Sequence, residues 1–209
     1  MKIFAKVLVL TGITLGLLLS AGPSLAQEAP DAMIKRVSRE VIELAKNDKE
    51  IRGGNFKRIV AVVKEKILPH LDMERATALT TGHHWRDATP EQRQQLTAQY
   101  RDLLIYTYAG AMSQIGDQTL EFKPLRAAPE DTEVEVRSEV RLPRRPEPVQ
   151  VRYRLWKSPE GWKIYDVSVL GAWVSETYRS TFSSEINRSG FDGLIELLAE
   201  RNRKLAAKT

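Results

Sequence analysis

The side chains that could perform catalysis or bind a metal are few in this sequence. It contains three histidines and no cysteine among its 209 residues. The absence of cysteine excludes disulfides, thiolate zinc sites and thiol nucleophiles. Acid–base or metal chemistry would therefore have to use His70, His83, His84, carboxylates and hydroxyl groups.

The adjacent pair His83-His84 is the most obvious candidate for metal binding. Neighbouring residues on a helix or strand do not converge on one ion, and a partner at the usual four-residue spacing is absent. We therefore predict a solvated loop here and no metal site. His70 follows Pro69, and the sequence favours a structural role for it over that of a general base.

Asp166 stands inside an apolar strand pattern. A buried carboxylate needs a compensating partner, and Arg152 and Arg179 are the candidates. We predict a structural ion pair, with a catalytic acid as the alternative. The serine hydrolase motifs G-x-S-x-G and S-x-x-K are absent, and Gly53-Gly54 does not follow a strand, as a phosphate-binding loop would. The sequence therefore predicts no catalytic residue.

The first 26 residues have the pattern of a secretory signal peptide. Lys2 and Lys6 precede the apolar stretch 7–19, and Ser24-Leu25-Ala26 provides small residues for cleavage. The apolar stretch is shorter than the ~20 residues that span a bilayer. We expect cleavage after Ala26, which leaves residues 27–209 as a single exported domain.

The net charge does not indicate nucleic-acid binding. Removing Lys2 and Lys6 lowers the formal net charge from +5 to +3. The remaining basic residues are interleaved with glutamates, and Arg144-Arg145 falls in a turn rather than in a groove-reading helix. We therefore expect no nucleic-acid partner.

Helical spacing dominates the region that follows the leader. We predict a first helix that Asp31 caps and Gly53-Gly54 ends, and a second over 56–67 that Pro69 stops. Asp72 is predicted to cap a short helix that extends to Thr81.

A longer helix is predicted to begin at Thr89. The threonine hydroxyl, a proline at the first helical position and Gln92 three residues later form a capping box. Apolar residues then recur on one face until Gly116-Asp117 ends the helix.

The apolar period changes from 3.6 to 2 beyond this helix. Alternation predicts strands over 132–142, 149–155 and 162–170, with an edge strand over 119–125. A phase shift in 162–170 predicts a bulge. Short connections favour an antiparallel meander, in which Arg152 and Arg154 lie opposite the glutamates of the preceding strand.

Helical spacing returns over 173–187 and 191–206, with Ser189-Gly190 between the two segments. The order of helices, strands and helices predicts an α+β fold. Its twisted antiparallel sheet has about four strands, with helices packed on one face.

Several segments together resemble one known family. They are Ile67-Leu-Pro-His-Leu-Asp72, Gly82-His-His-Trp85, Thr89-Pro-Glu-Gln-Arg93, Tyr100-Arg-Asp-Leu-Leu-Ile-Tyr-Thr-Tyr-Ala109, Tyr153-Arg-Leu155, Gly161-Trp-Lys-Ile-Tyr-Asp-Val167, Gly171, Tyr178-Arg-Ser-Thr-Phe182 and Gly190-Phe-Asp-Gly-Leu-Ile195. Their order and spacing resemble the MlaC family, also called the toluene-tolerance Ttg2D family, of periplasmic phospholipid-binding proteins. The resemblance covers about residues 51–198.

The resemblance implies a monomeric, non-enzymatic carrier without a cofactor. Such a protein shuttles phospholipid between an outer-membrane lipoprotein–porin complex and an inner-membrane MCE-domain ABC transporter, and so maintains outer-membrane lipid asymmetry. The resemblance also implies that the acyl tails enter an apolar cavity between the sheet and the helices, with the head group near solvent.

The physical requirement for such a cavity is large. At about 0.8 kcal/mol per methylene, two tails of about 15 carbons represent on the order of 20 kcal/mol that a carrier must keep from water. We chose candidate lining residues by the face they occupy in each element. They are Val63, Ile67, Leu71, Leu103, Leu104, Tyr108, Met112, Val136, Val151, Tyr153, Val167, Val169, Trp173, Tyr178 and Phe182.

Two other functions fit the composition. An exported lipid hydrolase would have to use Asp166 together with a histidine such as His70. An adaptor that binds other envelope proteins would instead have a fully packed interior.

Overall fold

The structure is a computed structural model that describes residues 27–143 and 146–207. The predicted signal peptide and its cleavage site lie outside the described residues. Across those described ranges, no helix combines the length and the apolar character needed to cross a membrane.

The chain begins with α1 (Pro30–Asn47) and α2 (Lys49–Arg52). The expected cap at Asp31 is wrong, because Ala29 is the N-cap residue and Asp31 lies in the first turn. Proline has a fixed φ that suits the first helical position, so Pro30 starts the helix one residue earlier. The carboxylate of Asp48 accepts hydrogen bonds from two backbone N–H groups of α2 and so separates it from α1.

The next helix, α3 (Phe56–Val62), continues as one π-helical turn (Val63–Ile67) and a 3-10 turn (Leu68–His70). Leu71 then has an extended backbone and forms an isolated parallel bridge with Ile164. The helical path ends at His70, one residue beyond Pro69, since a proline fits inside a short 3-10 turn at its first positions.

The predicted caps of the central helices are confirmed. The Asp72 carboxylate accepts a hydrogen bond from the backbone of Arg75 at the start of α4 (Met73–Thr81). A 3-10 segment (Gly82–Asp87) leads to α5 (Pro90–Tyr108), where Thr89 and Gln92 form the expected capping box. A second 3-10 segment (Ala109–Gln114) follows.

Five antiparallel strands form one sheet in the order of the sequence. They are β1 (Thr119–Phe122), β2 (Glu133–Arg141), β3 (Val149–Ser158), β4 (Gly161–Val169) and β5 (Ala172–Trp173). The meander is as predicted, and the additional fifth strand is a two-residue return that pairs with the end of β4.

The predicted bulge is present in β4. Arg154 pairs with Asp166 whereas Leu155 pairs with Ile164, so Tyr165 is an extra residue on the bulged strand. Residues three positions apart in a regular strand lie on opposite faces of the sheet. Because of the extra residue, Ile164 and Val167 lie on the same face.

The C-terminal helix α6 (Val174–Ala206) is interrupted at Gly190, where φ is 70° and ψ is −173°. This conformation is essentially restricted to glycine. The predicted break between two C-terminal helices is therefore confirmed.

The buried apolar residues form two clusters. We call the first the sheet cluster; α1, α3 and the sheet contribute Met33, Ile34, Val37, Ile59, Val62, Val136, Leu155 and Ile164, among others. We call the second the helical cluster; α5 and α6 contribute Leu96, Tyr100, Leu103, Tyr178, Phe182, Phe191, Leu194 and Leu198. Helices α4 and α6 also contact β4, so the two clusters meet near that strand.

Candidate functional site

Asp166 is 5% exposed, and its carboxylate accepts four hydrogen bonds. Its Oδ2 accepts from Ser175 Oγ at 2.6 Å and from Arg154 Nη1 at 3.3 Å. Its Oδ1 accepts from the backbone N–H groups of Val167 at 3.0 Å and Ser175 at 3.1 Å. The hydrogen bonds from Ser175 thus join β4 to the start of α6. The contact with Arg154 is a structural ion pair between β4 and β3.

The partner of Asp166 is different from those expected. Arg154 lies directly opposite Asp166 in the sheet, which brings the two side chains onto the same face. Arg152 instead lies 3.9 Å from Glu135, and Arg179 donates to the carbonyl oxygen of Leu79 at 2.9 Å. The expectation that Arg152 and Arg154 lie opposite glutamates of the preceding strand is confirmed for Arg154, which pairs with Glu135. It is wrong for Arg152, which pairs with Arg137 and approaches Glu135 only diagonally.

The expected solvated loop at His83-His84 is wrong for His84. It belongs to a 3-10 segment that contacts α6, which buries its ring and places Nε2 3.0 Å from Ser183 Oγ. His83 is exposed and lies against it, with ring centroids 4.0 Å apart. Within residues 27–143 and 146–207, no group of three or more acidic or histidine side chains is placed to hold a metal.

The structure divides the predicted lining residues between the two clusters. Those in or against the sheet cluster are Val63, Ile67, Leu71, Met112, Val136, Tyr153 and Val167. Those in or against the helical cluster are Leu103, Leu104, Tyr178 and Phe182. Their assignment to a lipid cavity stays a prediction.

Four predicted lining residues lie outside both clusters: Tyr108, Val151, Val169 and Trp173. Tyr108 is 47% exposed and Val169 is 45% exposed. Trp173 is buried, but on the opposite side of the sheet, where the guanidinium carbons of Arg152 and Arg154 lie 4.9 Å and 3.7 Å from its ring centroid.

Tyr153 is the most informative residue on the inner face of the sheet. It pairs with Val136 on one side and Val167 on the other, so the three side chains share that face. Burial raises the pKa of its phenol, which lies beside Ser38 of α1 and Ser138 of β2. The side chain nevertheless remains partly accessible. Tyr153 therefore lies deep in the fold and still borders open space.

A pocket of about 650 Å³ opens at one end of the sheet cluster. We call it the rim pocket; its lining is Gln27, Glu28, Met33, Arg36, Pro69, His70, Pro159, Glu160, Gly161, Trp162 and Lys163. A second, shallower pocket of about 380 Å³ lies between α1 and the π-helical turn. None of the predicted lining residues contributes to either of these two pockets.

Sequence reasoning missed the rim pocket because three separate segments build it, near residues 27–36, 69–70 and 159–163. Within it, Arg36 donates to both carboxylate oxygens of Glu28, at 3.0 and 2.8 Å. Lys163 Nζ donates to the carbonyl oxygen of Pro69 at 2.8 Å. His70, the one predicted functional candidate in this pocket, lines it together with these groups.

The surroundings of His70 favour its neutral form. Burial lowers its pKa, and the positive charges of Arg36 and Lys163 lower it further, against the smaller opposing effects of Glu28 and Glu40. The imidazole is therefore neutral at pH 7, with one nitrogen able to donate and the other able to accept a hydrogen bond.

Comparison with known proteins places this fold in a family. Residues 35–200 match the MlaC protein family. The chain is 43% identical to a phospholipid-binding protein from Ralstonia solanacearum whose structure was solved in complex with a phospholipid at 1.53 Å resolution. The two structures superpose with a TM-score of 0.80, over 86% of this chain and 99% of the other.

Two curated relatives are more distant. The intermembrane phospholipid transport system binding protein MlaC of Haemophilus influenzae is 19% identical over 176 residues, which are 82% of this chain and 81% of the relative. The toluene tolerance protein ttg2D of Pseudomonas putida is 24% identical over 183 residues, 84% of this chain and 82% of the relative. With the family match covering most of the described residues, this chain belongs to the MlaC family.

Proposed function

We propose that this protein is a periplasmic carrier of phospholipids. The observation that carries the proposal is the likeness to the Ralstonia solanacearum protein, which was solved with a phospholipid bound and is matched over 99% of its length at 43% identity. Over such an extent, the same backbone framework is available in this chain to surround a lipid.

The interior of the sheet cluster supports tail binding. Apolar side chains with partial exposure surround its buried residues, among them Phe56, Val63, Phe122 and Val167. Tyr153 lies among them and borders open space. Aliphatic and aromatic walls suffice for acyl tails, which offer no hydrogen-bonding groups. Burying two tails there would offset on the order of 20 kcal/mol of unfavourable hydration.

We further propose that the carrier moves phospholipid between an outer-membrane lipoprotein–porin complex and an inner-membrane MCE-type ABC transporter, and so maintains outer-membrane lipid asymmetry. The proposed route to the periplasm is export with a signal peptide cleaved after Ala26. The names of the relatives support this role: one is part of an intermembrane phospholipid transport system and another is a toluene tolerance protein.

Binding without catalysis is the form of this function that the side chains favour. Asp166 already accepts four hydrogen bonds and makes an ion pair. His70 lines the rim pocket, whereas Asp166 does not. A hydrolase that used this pair would have to bring both to one substrate bond.

Denaturing extraction and mass spectrometry of the protein, purified without detergent, test the proposal. Phospholipid at about one molecule per chain supports the carrier. Lipid-free protein that also takes up no phospholipid from vesicles contradicts it and favours the adaptor with a packed interior. Lysophospholipid and fatty acid that accumulate with the native protein, but not with Asp166→Asn or His70→Asn, would instead identify a hydrolase.

The proposed partners need a separate experiment. Lipid-loaded protein is mixed with proteoliposomes that contain the MCE-type transporter or the lipoprotein–porin complex, and labelled phospholipid is followed into each. Transfer that exceeds the transfer to protein-free liposomes supports the shuttle. Equal transfer to all three contradicts the assigned partners while leaving lipid binding intact.

A further inference from the structure

The rim pocket contains one positive and one negative side chain that are not ion-paired. Lys163 donates to the carbonyl oxygen of Pro69, and Glu160 Oε2 accepts from Ser158 Oγ at 3.0 Å. In the part of the chain that the structure describes, neither lies within salt-bridge distance of an opposite charge. Arg36, in contrast, is neutralised by two hydrogen bonds to Glu28. The side chains of the pocket therefore offer a bound molecule one unpaired charge of each sign.

The same pocket borders the apolar interior. Met33 is a buried member of the sheet cluster, and Trp162 packs against that cluster, yet both line the pocket beside Lys163 and Glu160. The volume of about 650 Å³ is within the usual range for small-molecule sites. A molecule with a charged end and apolar tails could thus place each part in a matching environment.

The charges of Lys163 and Glu160 indicate which polar group the pocket could bind. A phosphodiester accepts hydrogen bonds from an ammonium group and from an imidazole N–H, whereas a primary amine donates to a carboxylate. We propose that the rim pocket binds the head group of a zwitterionic phospholipid, with its phosphate against Lys163 and His70 and its amine against Glu160. This inference rests on the carrier function proposed above.

The state of His70 supports this arrangement. Its pKa is lowered by burial and by Arg36 and Lys163, against Glu28 and Glu40, so the ring is neutral and one of its nitrogens donates a hydrogen bond. A phosphate placed beside it adds negative charge and raises its pKa again. Lipid binding can therefore be followed by the titration of His70 as well as by the amount of lipid extracted.

The experiment offers the full-length mature protein equimolar phosphatidylethanolamine and phosphatidylglycerol in mixed vesicles, then extracts and quantifies both. We expect Glu160→Gln to lower the ratio of ethanolamine to glycerol lipid by about two- to fivefold at similar total lipid, as for a partly exposed ion pair. Lys163→Gln should lower the uptake of both lipids, because both contain a phosphate. Lys57→Gln and Glu130→Gln, exposed charges outside the pocket, should change neither quantity.

An unchanged lipid ratio in Glu160→Gln, with normal uptake, overturns the head-group assignment but leaves the carrier function standing. Absence of uptake by the native protein overturns both. Soluble glycerophosphoethanolamine, which has the same head group without acyl tails, distinguishes the binding of a lipid from the binding of a free phosphodiester. We expect the His70 ring NMR signals to move with vesicle-derived lipid and to require millimolar amounts of the soluble compound. Saturation by the soluble compound at micromolar concentration would overturn the assignment to a lipid.

Discussion

The guanidinium carbon of Arg154 lies 3.7 Å from the ring centroid of Trp173. The same guanidinium donates to the buried carboxylate of Asp166. One arginine thus connects β3, β4 and the residue that precedes α6. Arg154 makes a cation–π interaction with Trp173 and an ion pair with Asp166, and together these contacts anchor the C-terminal helix to the sheet.

We predict that Arg154→Gln lowers the free energy of unfolding by about 1–3 kcal/mol, because it leaves a buried carboxylate without its cation. Urea denaturation followed by circular dichroism measures the loss. Arg152→Gln is the matched control, since Arg152 lies against the same ring but is 3.9 Å from its carboxylate partner Glu135. Its loss should stay below about 1 kcal/mol. Equal losses would mean that stacking on Trp173, not the ion pair, provides the stability.

Gly190 is expected to be intolerant of a side chain. Its φ of 70° and ψ of −173° are essentially restricted to glycine. Gly190→Ala should therefore lower the free energy of unfolding by about 1–3 kcal/mol in the same denaturation experiment. Gly110→Ala is the control, because that site has no positive φ and no neighbour within 4 Å of an added Cβ. A harmless Gly190→Ala would indicate that α6 is straight through this point.

Acid should destabilise the protein in part through His70. Its folded-state pKa is lowered by burial and by Arg36 and Lys163, whereas the unfolded value is about 6.5. On acidification the unfolded chain binds the proton first, so the contribution of the neutral ring is present above about pH 6.5 and is lost as the pH falls through the folded pKa. His70→Asn should therefore lose less stability than the native protein between about pH 7 and 5. Parallel stability curves for the two proteins would contradict this assignment.

Lipid binding should be more sensitive to Val167 than to Val169. Val167 packs against the sheet cluster, whereas Val169 is 45% exposed. An amide that faces acyl tails costs about 1–3 kcal/mol, or roughly tenfold in affinity. Val167→Gln should therefore retain less phospholipid after purification than Val169→Gln, as measured by mass spectrometry of the extract. The reverse order would place the tails elsewhere, and thermal melting of both variants excludes loss of fold as the cause.

The local patterns of the sequence predicted elements well where short-range chemistry decides them. The capping box at Thr89, the cap at Asp72 and the period-2 strands depend on residues a few positions apart. The cap at Asp31 failed because a neighbouring proline competes for the same helix start. The choice of Arg152 or Arg179 for Asp166 failed because the bulge at Tyr165 sets which arginine faces it.

The sequence by itself determined the order of helices and strands, the antiparallel meander and the break at Gly190, because periodicity, caps and backbone restrictions act locally. Only the tertiary structure decided that the apolar residues divide into two clusters, that His84 is buried against Ser183, and that 27–36, 69–70 and 159–163 meet at one pocket. These contacts join residues far apart along the chain. Their positions depend on how whole elements pack, which no short window of sequence contains.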